Sequence, residues 1–300
     1  VSDHNDLLYR FLLERAGVRG VLVRLGDSWR EVAQRADYPP QLRQLLGESL
    51  ASAALLTGNI KFSGSLTLEL KTPGALRLVF TEATEGGRLR GLARFDAERG
   101  VPDPLALNEL AQAVLAITIG SAERGHRYQG LIELSAPDLA TSLEGYFTQS
   151  EQLPARIVLA VNGDQAVGLM LQRLPGEGGH DAPEVDADAW DRVLHLTATL
   201  SDKELLELAP EEVLYRLYHE ESVRLFDPRP LAFGCSCSRE RVVQMLRSLG
   251  REEVEAALEA NDGEVEVTCE FCASQYRFDR VDAEQVLSDD PRAPGSDTTH

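Results

Sequence analysis

Apolar positions along this chain keep two different periods, and the change from one to the other divides it. Strict alternation marks residues 65–95 as β structure. Leu66, Leu68 and Leu70 alternate with Thr67, Glu69 and Lys71; Ala75 to Thr81 follows a Pro73-Gly74 turn, and Arg88 to Phe95 follows Glu85-Gly86-Gly87. Val18 to Leu25 reads as a strand, as do Leu115 to Ile119 with Gln129 to Leu134, and Arg156 to Asn162 with Val167 to Leu174. Spacings of three and four residues predict helices instead. Leu42, Leu45, Leu46, Leu50, Ala53 and Ala54 place one over Gln41 to Leu56, and Leu139, Leu143, Tyr146 and Phe147 place another over Asp138 to Ser150. The pattern leaves Leu7 to Leu13 between strand and helix start, and reads Trp29 to Ala33 as strand or turn. The expected fold is therefore α+β, with an N-terminal mixed α/β-sheet domain over residues 1–175.

Pro175-Gly176-Glu177-Gly178-Gly179 breaks the texture and marks a boundary. From Glu177 to Arg229 there are 14 acidic residues against 5 basic ones. Helical patterns persist there. One covers Ala187 to Ala198 with Trp190, Val193 and Leu194; another opens at the Ser201–Glu204 capping box. A third starts at Pro210 with Val213, Leu214, Leu217 and Tyr218 on one face. A charged segment with one narrow apolar stripe per helix folds when it has a surface to dock on. Residues 176–231 are read as a charged helical linker.

Beyond it, Ser238 can cap a helix carrying Val242, Val243, Leu246 and Leu249, which Gly250 ends. Glu252 to Ala260 is a second short helix. Glu264 to Thr268 and a return strand, with Tyr276 and Phe278 pointing outward, make a hairpin. Residues 232–287 are expected as a small C-terminal zinc-binding domain, and 288–300 as a disordered tail.

Zinc enters through the cysteines. The chain has four, Cys235, Cys237, Cys269 and Cys272, in two tight pairs separated by residues 238–268. A structural zinc site wants four soft ligands in a tetrahedron, and two short clusters on separate turns supply them. One zinc ion per chain is expected. Four buried cysteines acting as small hydrophobes would be scattered rather than paired. A disulfide framework suits a small secreted chain better than one of 300 residues. The N-terminal residues lack the basic and apolar regions of a signal peptide, and no apolar run reaches a membrane span, so a cytoplasmic location without membrane contact is expected. With 49 acidic against 30 basic residues the formal charge is −19, which repels phosphate backbones and argues against a nucleic-acid partner.

Motifs for other chemistry are missing: no phosphate loop, dinucleotide fingerprint or nucleophile elbow occurs. His219-Glu220 matches the His-x-Glu of zinc deaminases only in part, since four cysteines would leave no open zinc position for water. His126 and His195 have no companions in the sequence. From the residues alone, three readings of the cysteines stay open: a permanent structural zinc, including a zinc-ribbon adaptor that binds a partner regardless of redox state, a redox-sensitive zinc, and a thiol oxidoreductase built on Cys269 and Cys272.

Cys235-Ser236-Cys237-Ser238-Arg239-Glu240-Arg241 followed by Cys269-Glu270-Phe271-Cys272 resembles the C-terminal motif of the redox-regulated heat-shock chaperone family of 33-kDa chaperonins. Leu217 to Glu221, Phe226-Asp227-Pro228 and Tyr146 to Pro154 resemble that family's linker and N-terminal domain, in the same order. The resemblance implies a non-enzymatic, ATP-independent holdase. Its four cysteines would bind zinc when reduced and inactive. Oxidation would expel zinc, form disulfides Cys235–Cys237 and Cys269–Cys272, unfold the linker, and favour a homodimer that binds unfolding client proteins.

Overall fold

The computed structural model describes residues 6–60, 62, 64–120, 127–175 and 188–288. The chain forms two compact units, Val1–Gly234 and Cys235–His300. Unit one opens with strands β1 (Leu7–Leu13) and β2 (Val18–Leu25) and helices α1 (Asp27–Ala33) and α2 (Pro40–Thr57). Five strands follow: β3 (Ser65–Lys71), β4 (Leu76–Thr84), β5 (Arg88–Phe95), β6 (Val114–Gly120) and β7 (Arg127–Ile132). Then come α3 (Leu139–Gln149), β8 (Ala155–Val161), β9 (Ala166–Arg173), α4 (Ala189–Thr197), α5 (Asp202–Glu207) and α6 (Pro210–Tyr218). Three short strands end the unit: β10 (Val223–Leu225), β11 (Arg229–Pro230) and β12 (Ala232–Phe233). The α+β expectation holds, and Leu7 to Leu13 resolves to a strand.

Two six-stranded sheets organise this unit. The first runs β10-β1-β2-β9-β8, with β11 also on β1; the second runs β12-β5-β4-β3-β6-β7. Pairing is antiparallel except between β12 and β5. Helix α2 packs on strands of both sheets, including β4 and β9. That explains why 13 of its 18 residues are buried, an all-round burial that a half-exposed surface helix does not show. Leu46, Leu50, Leu68, Val79, Val21 and Met170 belong to the single large core these layers enclose.

Trp29 to Ala33 is helical rather than strand or turn. Both carboxylate oxygens of Asp6 accept backbone N–H groups at the start of α1, from Gly26 and Ser28, each at 2.9 Å. A cap from a residue about twenty positions upstream is invisible to local pattern. Burial of Trp29, Val32 and Ala33 then fixes the helix face.

The described part of the expected linker, residues 188–231, lies within unit one. Its helices cover the outer face of the first sheet. Ala189, Val193, Leu205, Val213, Leu214, Leu217 and Tyr218 join Tyr9, Phe11, Leu13, Leu22, Leu169 and Leu171 in a second core. Of the anchors expected from the sequence, Val193, Leu214, Leu217 and Tyr218 are buried; Trp190 and Leu194 are half-buried. The boundary segment 176–187 and His126 lie outside the described residues. Among the described residues no helix is long and apolar enough to cross a membrane.

Polar contacts fasten the docked helices to the sheet and to one another. Buried Arg24 of β2 donates to the carbonyls of Leu205 (3.0 Å), Leu206 (2.6 Å) and Leu208 at the C-terminal end of α5, and to Gln165 Oε1 at 2.8 Å. Carbonyls left over at a helix end are thereby satisfied by a cation, which the helix dipole favours. Arg192 of α4 grips Glu221 with two hydrogen bonds, 2.6 and 3.1 Å, and Glu221 is buried. Tyr218 OH lies 2.7 Å from Thr197 Oγ1, joining α6 to α4. Tyr218 also stacks on Phe11, at 6.3 Å between centroids. Phe11 in turn lies across Gly20, its register partner on β2, where a Cβ would come within 2.0 Å of the ring. Gly20 is needed for that close approach.

Candidate metal centre

Unit two consists of α7 (Arg239–Leu249), α8 (Arg251–Ala260), the hairpin β13 (Glu264–Thr268) and β14 (Gln275–Asp279), and α9 (Arg280–Ser288). Ser238 caps α7 as expected, accepting the Arg241 N–H at 3.3 Å. Val242, Leu246, Val254, Leu258, Val265 and Phe278 meet Ala283, Val286 and Leu287 in a small core. The outward reading of the return strand needs correction. Phe278 is buried at 1%, opposite Val265, with the Arg239 guanidinium 4.2 Å from its ring centroid, and Tyr276 is half-buried. Helix α9 was not anticipated in the sequence; it supplies the third wall that turns this face inward. Of the expected tail, 288–300, Ser288 is instead the last residue of α9, and residues 289–300 lie outside the described residues.

Two turns present the cysteines. Cys235 and Cys237 lie just ahead of α7, and the Cys237 N–H points at Cys235 Sγ, 3.5 Å away. Cys269 and Cys272 lie on the β13–β14 turn. That turn is closed by the Cys269 N–H to Ser274 O (2.9 Å) and the Ala273 N–H to Cys269 O (2.8 Å), with Ala273 at φ 58°. A left-handed residue other than glycine is strained, and it persists here where the turn must hold two sulfurs on one side.

All four Sγ atoms lie within 4.8 Å of one another. Cys235 and Cys269 sulfurs are 3.6 Å apart, and Cys237 and Cys272 sulfurs 3.3 Å. A metal–sulfur bond near 2.3 Å puts the corners of a tetrahedron roughly 3.8 Å apart, so the cluster fits a soft four-coordinate cation. None of the four cysteines is in a disulfide, and each is partly buried. Burial pushes the Cys269 thiol up to about 12, despite donation from the Cys272 and Phe271 backbone. Burial acts on Cys272 in the same direction but loses to the Ser274 hydroxyl and N–H with Cys237 and Cys269, which bring it down to about 6. Desolvation also raises Cys237. Four thiols crowded this closely cannot all ionise without a cation.

Sequence reasoning missed the groups around the sulfurs. Tyr276 OH donates to Cys237 Sγ at 3.1 Å, and Arg241 ties down the Ser236 carbonyl at 2.7 Å. Such outer partners orient metal ligands. No motif marks Tyr276, since it reaches the sulfur only through hairpin register. The Cys269–Cys272 pair sits on a hairpin turn rather than at a helix N-terminus, the setting that activates thiol oxidoreductase cysteines. The ring nitrogens of His195 and His219 lie against the backbone carbonyls of Asp191 and Tyr215, four residues earlier in each case.

The sequence matches the family model described as Hsp33 protein over residues 6–279. It is 44% identical to a 33 kDa chaperonin of Nitrosococcus oceani, over 99% of this chain and 100% of the relative. It is 43% identical to the 33 kDa chaperonin of Pseudomonas aeruginosa over the same shares. Among solved structures, the crystal structure of a 33 kDa chaperonin from Thermotoga maritima superposes with a TM-score of 0.78 at 23% identity, covering 95% of this chain and 98% of that one. That superposition establishes the fold.

Proposed function

The chain belongs to the Hsp33 chaperone family, and from that premise we propose that it is a redox-regulated, ATP-independent holdase for unfolding proteins, without enzymatic turnover. The observation that carries this reading is the gathering of all four sulfurs within 4.8 Å in a unit with a small core. Cys235, Cys237, Cys269 and Cys272 would hold zinc in the reduced, inactive protein. When bound, the ion supplies on the order of 10 kcal/mol or more of folding free energy to such a module.

Oxidation removes the ligands. Joining Cys235 to Cys237 and Cys269 to Cys272 takes two electrons from each pair of metal-bound thiolates, and one hydrogen peroxide per pair accepts them, with two protons from solvent, to become two waters. A disulfide sulfur is a poor ligand, so the ion leaves and its folding free energy is lost. Residues 223–233, which lead through Gly234 into Cys235, carry the short strands β10, β11 and β12, which pair with both sheets of unit one. Loosening there would release the helices of residues 188–218 from the apolar face they cover. Tyr9, Phe11, Leu13, Leu22, Leu169 and Leu171 would then be free for client chains or a second protomer, in the cytoplasm and without nucleic acid or membrane.

The test is light scattering from an aggregating client, with reduced and peroxide-treated protein side by side and zinc measured in both. Suppression by the oxidised, zinc-free form alone is expected, with peptide mapping finding disulfides within each pair. Equal activity in both forms would make the zinc purely structural.

A further inference from the structure

Beyond the C-terminal end of α2 the two sheets of unit one part, leaving a cavity of about 200 Å3 between them. Its walls are mainly apolar: Leu56, Leu66, Ile117, Ile119, Phe147 and Met170. One cation, Arg19 of β2, lines both this cavity and a more open one of about 390 Å3 beside it, which Arg10 and Phe226 also line. Arg19 is held in place. Its Nε donates to Gln172 Oε1 at 3.0 Å, and Asn59 Nδ2 donates to the same oxygen at 2.8 Å. Gln172 is 2% exposed, so the fork has a rigid base.

No carboxylate among the described residues forms an ion pair with Arg19. Burial disfavours its charge, and no charged neighbour offsets that. In a chain with 49 acidic residues such a cation has not been paired by default. Among the described residues the two terminal nitrogens of this guanidinium have no hydrogen-bond partner, a geometry suited to a carboxylate. At the other polar part of the cavity, Glu151 Oε1 accepts from the Tyr128 and Tyr146 hydroxyls, at 3.2 and 3.0 Å, and forms no ion pair with Arg19.

We infer that this cavity is a binding site for a small amphipathic monocarboxylate of the medium-chain fatty acid class, its carboxylate on Arg19 with Arg10 nearby and its chain between the sheets. The inference is independent of the chaperone reading and of the cysteines.

The chain carries two methionines, Met170 in the cavity wall and Met245 on α7 of unit two. Carbon-13 methyl labelling of methionine therefore gives one reporter in the site and one control. Titrating decanoate into the intact, reduced, metal-loaded protein should shift the Met170 methyl signal and leave Met245 unmoved. Decylamine, with a similar chain and the opposite charge, should leave both unmoved. Arg19→Gln should weaken decanoate binding roughly tenfold or more, the value of a charge-assisted fork. Methyl signals unchanged by decanoate at millimolar concentration would overturn the proposal. Equal shifts with decylamine would overturn it too, because Arg19 would not be reading charge. The amine comparison uses the native protein, so the test stands even if Arg19→Gln fails to fold.

Discussion

The two units solve stability in opposite ways. In unit one a helix lies between two six-stranded sheets, and a second core fills the outer face of the first sheet. Unit two has one thin core of nine buried residues, reached from three short helices and a two-stranded hairpin. Two-stranded hairpins are marginal in water, and small modules need a metal or disulfide to persist. The difference teaches where a chemical signal can act. Unit one answers to packing and, on the function proposed above, unit two answers to the state of four sulfurs.

Metal removal gives the largest expected effect. Stripping the ion by chelation, or replacing Cys269 with Ser, should abolish amide protection across residues 235–288 while β2, β9 and α2 stay protected in hydrogen exchange. Protected amides in unit two without metal would break the contrast. Next comes the covered face of the first sheet. Leu217→Ala removes a side chain that is 4% exposed, at a cost of about 2 to 5 kcal/mol. The reduced mutant should keep its metal, lose protection over 188–225, and suppress client aggregation without oxidant. A mutant that undocks, keeps its metal and holds no client would show that unit two or dimerisation must contribute binding.

Smaller changes sharpen the same face. Gly20→Ala drives a methyl into the Phe11 ring and tilts the platform under Tyr218, which should cost about 1 to 3 kcal/mol by thermal melting. Tyr218→Phe removes one hydrogen bond while Thr197 keeps its bond to the Val193 carbonyl, so about 0.5 to 1.5 kcal/mol should be lost. The smallest effect concerns Glu144 on α3. Its carboxyl accepts the Ile157 N–H at 2.7 Å, yet burial raises its pKa. A raised folded pKa means the stabilising contribution is complete below the unfolded value and is lost as pH rises through the folded one. Glu144→Gln, which keeps an acceptor for Ile157, should therefore raise the melting temperature slightly at pH 7 and not at acid pH.

Where structure depends on neighbours in sequence, it was legible. Alternation over residues 65–95, the three- and four-residue spacing of α2, and the capping box at Ser201 each set local backbone geometry, and the observed elements follow them. The four metal-ligand candidates were equally plain, because short cysteine pairs carry their geometry in their spacing. Tertiary structure decided what local pattern leaves free. Asp6 caps α1 across about twenty residues, and helix α9 turns Phe278 inward. Arg24, an arginine within an apolar strand, becomes a fastening only when the end of α5 arrives over it. Strands β10, β11 and β12 are two or three residues long, too short to show a period, and exist because β1 and β5 offer them edges. Sequence spacing fixes the contacts made within a turn or two of backbone; contacts between distant segments carry no period, and only the packed chain selects them.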